Sequence, residues 1–182
     1  MIYKTHIVTS LSIGLIPYST GLITLNEPLQ LGILVFVGFI FSLLPDLDEP
    51  NSYLSRRTPL IPFLLTKLTT HRAATHQIRG IFVVFISLMM ISLFYPIISI
   101  YIPMAILAYI GHILGDSCTL SGIRRFAYPV SNKTFWILPK SMRFRTNSWT
   151  EKLIPYPLFS AITLFQLYII VLSFGLIKNI FI

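Results

Sequence analysis

The stretch Gly80–Gly111, GIFVVFISLMMISLFYPIISIYIPMAILAYIG, contains no charged side chain, and how it is divided decides the fold. As one helix rising about 1.5 Å per residue it would reach about 48 Å, well past a hydrocarbon core of about 30 Å. Two shorter helices with a turn between Tyr95-Pro96 and Pro103 fit better. On either side lie other apolar runs: Ile7 to Leu25, Leu29 to Leu44, and Leu153 to Ile177. The chain therefore reads as an all-α polytopic membrane protein of one domain, with five spans near 7–25, 29–45, 79–95, 98–116 and 153–177.

Composition supports a bilayer over a soluble core. Of 182 residues, 54% are hydrophobic and 11% charged, with mean hydropathy +0.77; soluble domains carry about 25% charged residues. The net charge of +8 comes from cations grouped between the apolar runs, which points to topology and anionic-lipid contact before nucleic acid. Cys118 is the only cysteine, so neither an intramolecular disulfide nor a thiolate cage can form. The first run follows Lys4 but lacks a small-x-small cleavage site, and it is read as a retained anchor.

Charge counting orients the chain. With the N-terminus inside a bacterial cytoplasmic (inner) membrane, Lys4, the 45–79 loop and the 118–152 loop are cytoplasmic, and thirteen of the fourteen Lys and Arg lie inside, Lys178 excepted. A four-span topology would place the loop from Arg124 to Lys152 outside and is rejected.

This topology has a chemical consequence. His6 enters the first span, Asp46 and Asp48 leave the second, His71 and His76 enter the third, and His112 and Asp116 leave the fourth. All four histidines and half of the six carboxylates thus fall in one layer at the cytoplasmic face. His112 and Asp116, four apart, share a helix face. Singly, each residue reads as an interfacial polar group, a helix stop or a hydrogen-bonded helix end. Together they read as a site for zinc, with manganese or iron as alternatives.

Arg72, between the two histidines of His71-Arg72-Ala73-Ala74-Thr75-His76, can hold a phosphate by bidentate hydrogen bonds or anchor at headgroups. Arg56, Arg57 and Arg79 read as topology anchors. From Ser121 to Lys152, basic residues interleave with Phe126, Tyr128, Phe135, Trp136, Phe144 and Trp149. Such a segment can bind single-stranded nucleic acid; beside spans it reads as a layer at headgroup level, and no nucleic-acid partner is expected. Gly32, Gly38, Gly111 and Gly115 allow close helix packing.

Pro45-Asp46-Leu47-Asp48 with Pro50-Asn51-Ser52, then His71-Arg72-Ala73-Ala74-Thr75-His76, then Gly111-His112 with Asp116, Thr119 and Gly122, after an opening Thr5-His6, resemble the YdjM-like family of inner-membrane proteins assigned as metal-dependent hydrolases. The resemblance covers about residues 1–130. That family is similar, at a distance, to the zinc-dependent phospholipase C and single-strand nuclease superfamily, whose His and Asp ligands on helices serve to cut phosphate esters. The relation implies a phosphoesterase. Gln77 stands where family members usually carry Ser, and Glu49 where a histidine often follows the Asp-x-Asp pair.

The expectation is a membrane-bound hydrolase acting on a phospholipid or lipid-linked phosphate, with anionic membrane lipids as partners. His6, Asp46, Asp48, His71, His76, His112 and Asp116 supply metal ligands, Asp48 bridges or acts as general base, and Arg72 orients the phosphate. Two rivals remain. A metal or proton-coupled transporter would place ionisable residues at mid-membrane. A non-enzymatic scaffold would use the polar cluster only to tie helices together.

Overall fold

The computed structural model describes residues 1–49, 52–58 and 75–180, with side chains described to residue 175. Among the described residues the chain is helical and has no strand beyond two isolated bridges, Thr119 with Phe144 and Ile123 with Phe135. The helices are α1 (Tyr3–Gly14), α2 (Ile16–Ser19), α3 (Pro28–Leu43), α4 (Ile78–Phe94), α5 (Ile102–Ser117), α6 (Trp149–Leu153) and α7 (Pro155–Ile180).

Prolines set most of the boundaries. Pro28 opens α3, where its missing N–H costs nothing. At the other end Pro45 cannot continue the ladder, and the chain tightens into a 3-10 turn over Leu44–Asp48. α4 stops at Tyr95, whose backbone (φ −130°, ψ 75°) is driven out of the helical region by Pro96. A 3-10 turn over Pro96–Tyr101 then leads into α5. The charge-free stretch is therefore divided where the prolines predict.

The first expected span comes out differently. Pro17 has no N–H to offer Ile13, so the helix breaks at Leu15 and ends as the single turn of α2. At 12 residues, α1 is about 18 Å long. Among the described residues, three helices are long and apolar enough to cross a membrane: Pro28–Asp48, Pro96–Ser117 and Trp149–Gly175. α4 is as apolar but has 17 residues.

α1 is the axis of the bundle, packed against α3, α5 and α7. It buries Thr5, His6, Thr9, Ser10 and Ser12 along with Leu11. Partners from α7 reach its carbonyls: Gln166 Nε2 donates to Ser12 O (3.0 Å), and the Thr163 hydroxyl, shared with Phe159 O of its own helix (2.8 Å), lies 3.2 Å from Val8 O. Leu11, Leu15, Tyr18, Leu34, Met104 and Ile170 close the apolar core around it. α4, by contrast, packs mainly on α5 and the turn that precedes α5, and buries no side chain among the described residues; Phe82, Val83, Ile86, Met90 and Leu93 all face outward. Such an apolar exterior suits lipid as solvent.

The contact that places the site is the α1–α5 crossing. A Cβ on Gly111 would stand 2.8 Å from Ser10 Cα, so the two backbones touch there. Gly111→Val should push α1 off α5 at a cost of about 1–3 kcal/mol. A lowered unfolding temperature in detergent checks this; an unchanged one would show that the crossing is not tight.

Candidate metal centre

The ends of four elements meet at one end of the bundle: the N-terminus of α1, the 3-10 turn after α3, the turn before α4 and the C-terminus of α5. The last three bring together Asp46, His76, His112 and Asp116, each offering one ligand atom, all within 4.8 Å of one another. His76 Nε2 lies 3.6 Å from Asp46 Oδ1 and 3.5 Å from Asp116 Oδ2. His112 Nε2 lies 3.6 Å from Asp46 Oδ1 and 3.8 Å from Asp116 Oδ2. These spacings are too long for good hydrogen bonds. They are close to the edges of a tetrahedron around an ion with bonds of about 2.0–2.2 Å.

Three observations test whether this donor set fits a metal. Both Nε2 atoms are buried without a hydrogen-bond partner among the described residues, a costly arrangement unless something else binds there. Two carboxylates and two neutral imidazoles carry the charge that balances a divalent cation and contain no thiolate. The imidazoles are also held in the required tautomer. His112 Nδ1–H donates to Ser42 O (2.6 Å). That carbonyl, in the last turn of α3, receives no 3-10 bond because residue 45 is proline. Thr75 Oγ1–H donates to Asp48 Oδ2 (2.8 Å), so its oxygen accepts from His76 Nδ1–H (3.1 Å). Each ring thus spends its Nδ1–H on an outer partner and turns Nε2 toward the group, the arrangement that outer partners of metal-bound histidines produce.

Two other expected ligands stand just outside this group. Asp48, fully buried, carries the Thr75 hydroxyl and so acts on His76 from behind. His6 stacks on His112 with ring centroids 3.7 Å apart and lies 3.2 Å from Asp116 Oδ1, the oxygen turned away from the two Nε2 atoms. The amino group of Met1 reaches the same oxygen at 2.6 Å. His71 and Arg72 lie outside the described residues. The histidines are sealed in, His112 at 0% and His76 at 4% side-chain exposure, whereas Asp46 (18%) and Asp116 (14%) reach the surface. The group is therefore approachable from its carboxylate side.

Sequence reasoning missed two supporting residues. The Tyr109 hydroxyl, one turn before His112, donates to Thr75 O and fixes the turn that carries His76. Glu151 is fully buried in α6; its Oε1 accepts from Ile2 N (2.8 Å) and its Oε2 from Asn147 N (2.6 Å). It satisfies an N-terminal donor of α1 and so positions His6. Ser148-Trp149-Thr150-Glu151 does carry a capping-box pattern, with Ser148 Oγ accepting from Glu151 N (3.3 Å), but the reach to Ile2 has no local signal.

Burial pulls the His76 imidazole down, but the facing Asp116 and Asp46 carboxylates outweigh it and hold the group up at about 9.

A helical membrane protein with a buried His/Asp group at one end of its bundle is the class defined by this geometry. The chain belongs to the YdjM inner membrane protein family, whose sequence profile matches residues 1–178. No curated protein and no solved structure matches it.

Two outcomes follow. Thr75→Val should weaken metal binding roughly 10–100-fold, the usual cost of losing an outer-shell partner, in a chelator-competition titration; unchanged affinity would show that the Asp48–Thr75–His76 chain does not orient the ring. The pH dependence has a definite sign. Below about pH 9 an ion must displace a proton from His76, so affinity should rise steadily from pH 6.5 and level off above 9. Affinity flat over that window would contradict a ligand role for His76.

Proposed function

We propose that the protein is a membrane-bound, metal-dependent hydrolase, and that it cleaves a phosphate ester of a phospholipid or other lipid-linked phosphate. The observation that carries this reading is the pair of buried, partnerless Nε2 atoms facing two surface-reaching carboxylates.

Asp46, His76, His112 and Asp116 would hold the ion, with zinc the first choice for a site of two imidazoles and two carboxylates and manganese or iron the alternatives. A divalent ion held there supplies Lewis acidity toward a phosphate ester and a nucleophile from water at neutral pH. The chain's own residues do the rest. Ser42 and the Thr75–Asp48 pair engage the Nδ1 atoms of the two imidazoles and keep both Nε2 atoms aimed at the group. His6 holds one oxygen of Asp116, which leaves the other free for the ion. The buried rings exclude water from behind, so a substrate would approach only from the carboxylate side. A carboxylate that bonds a threonine hydroxyl behind a histidine suits a positioning role for Asp48 better than that of a base in contact with substrate.

In this reading α1 and α4 run as short membrane-embedded segments beside the three longer helices, giving five in all. The group faces the cytoplasm, because the basic loops flank it on that side. A scaffold would have no use for imidazoles fixed in the metal-binding tautomer, and a transporter would carry its ionisable group near mid-membrane.

His112→Ala and Asp116→Ala should each remove the bound metal, read by inductively coupled plasma mass spectrometry, and abolish phosphate release from lipid phosphates while membrane insertion persists. Retained metal and turnover in both variants would defeat the assignment.

A further inference from the structure

Beside the metal group lies a second feature that the proposed chemistry does not use. A cavity of about 640 Å³ opens between α1, the end of α5, the 138–144 segment and the start of α7. Its volume falls in the range of small-molecule sites, about 300–1,000 Å³. The wall is almost wholly apolar, with Ile13, Leu114, Leu138, Phe144, Leu158 and Phe159 contributing.

Three observations say what it holds. First, it touches the metal group: Met1 and Gly115 line it, and Met1 lies 2.6 Å from Asp116 through its amino group. Second, its rim joins the apolar exterior. Met142, Ile154 and Leu158 line it and are more than half exposed, so a chain lying in lipid can enter without crossing water. Third, one cation lines it. Arg143 lines the cavity, its Nε donates to Leu138 O (2.9 Å), and its guanidinium lies 4.3 Å from the Trp136 ring centre. Lys140, Arg145 and Lys152 flank it in the chain, and the one acid between residues 138 and 159, Glu151, is occupied by the N–H groups of Ile2 and Asn147. Thr9, on the wall and 3% exposed, carries a buried hydroxyl with no partner among the described residues.

We propose that this cavity receives one hydrocarbon chain of an anionic membrane lipid, with Arg143 at its mouth drawing in the headgroup and the phosphate delivered to the adjacent metal group. The identification of that lipid as substrate rests on the phosphoesterase reading; the binding of the chain does not. An arginine on the wall of an apolar cavity selects a lipid phosphate over a soluble one, because the soluble ester gains nothing from the apolar interior.

The test uses the full chain reconstituted in phosphatidylethanolamine vesicles that contain a phosphatidic acid whose palmitoyl chain carries a photoactivatable diazirine. Cross-links are mapped by tandem mass spectrometry. Labelling is expected at Leu114, Phe144 and Phe159, lost in Leu158→Trp, which narrows the mouth, and retained in Leu172→Trp on the exposed flank of α7. Labels spread evenly over the outer faces of α4 and α7, or equally strong in the two variants, would overturn the proposal. Metal content measured on the same samples separates the two ideas. Metal-loaded protein without cavity labelling removes the lipid pocket and leaves the hydrolase reading standing. Metal-free protein with cavity labelling keeps the pocket and removes the lipid's role as substrate.

Discussion

Two carboxylates set close together in a mostly apolar surrounding are the constraint on which this structure turns. Asp46 and Asp116 offer ligand atoms within 4.8 Å of each other, and like charges at that range disfavour the ionised pair unless a cation intervenes. Much of the surrounding architecture answers that charge. His76 and His112 face both carboxylates, while His6 and the Met1 amino group approach the far oxygen of Asp116. The inner oxygens and the two Nε2 atoms are left facing one another at 3.5–3.8 Å, and a divalent ion between them would take the place of the proton on His76.

Reading the sequence by charge-free runs and prolines locates α3, α4 and α5 well, because their boundaries are set by local backbone chemistry at Pro28, Pro45 and Pro96. It fails for α1. A hydropathy count treats Thr5, Thr9, Ser10 and Ser12 as neutral punctuation in an apolar run, and so the segment reads as one more lipid-facing span. In the fold these side chains are buried, since α1 is wrapped by α3, α5 and α7, and small polar residues are what let helices approach so closely. The local signal for the break is Pro17, which a hydropathy count does not register.

The site shows a similar division. His112 and Asp116 are legible as a pair from their four-residue spacing, and Asp46 and His76 from their places at the ends of apolar runs. What spacing cannot tell is which of several neighbouring groups faces the shared point and which stands behind it. Asp48 is two residues from Asp46, and a 3-10 turn rather than an extended strand decides that it bonds Thr75. His6 is set by the close α1–α5 crossing, a long-range fact recorded locally only as a glycine at position 111.

α5 is the element from which the site is hung. Tyr109, His112 and Asp116 occupy one face of it, and each fastens a different part of the chain: Tyr109 the Thr75 carbonyl before α4, His112 the Ser42 carbonyl at the end of α3, and Asp116 the His6 ring of α1. The ligands therefore converge only when these helices are packed together, and an ion that bridges Asp46, His76, His112 and Asp116 bridges three separate segments. Metal binding and bundle closure are then one linked equilibrium, because the ligand set does not exist in the unassembled chain. At a free concentration one hundred times its dissociation constant, such an ion adds about 2.7 kcal/mol to the folded state. This is comparable to what a fully buried large apolar side chain contributes. An exterior as lipid-adapted as that of α4 adds little to holding the helices together, since apolar surface facing lipid is already in its preferred solvent. In a bundle of that kind, the polar layer at one end is where association energy is available, and the same layer holds the His/Asp group.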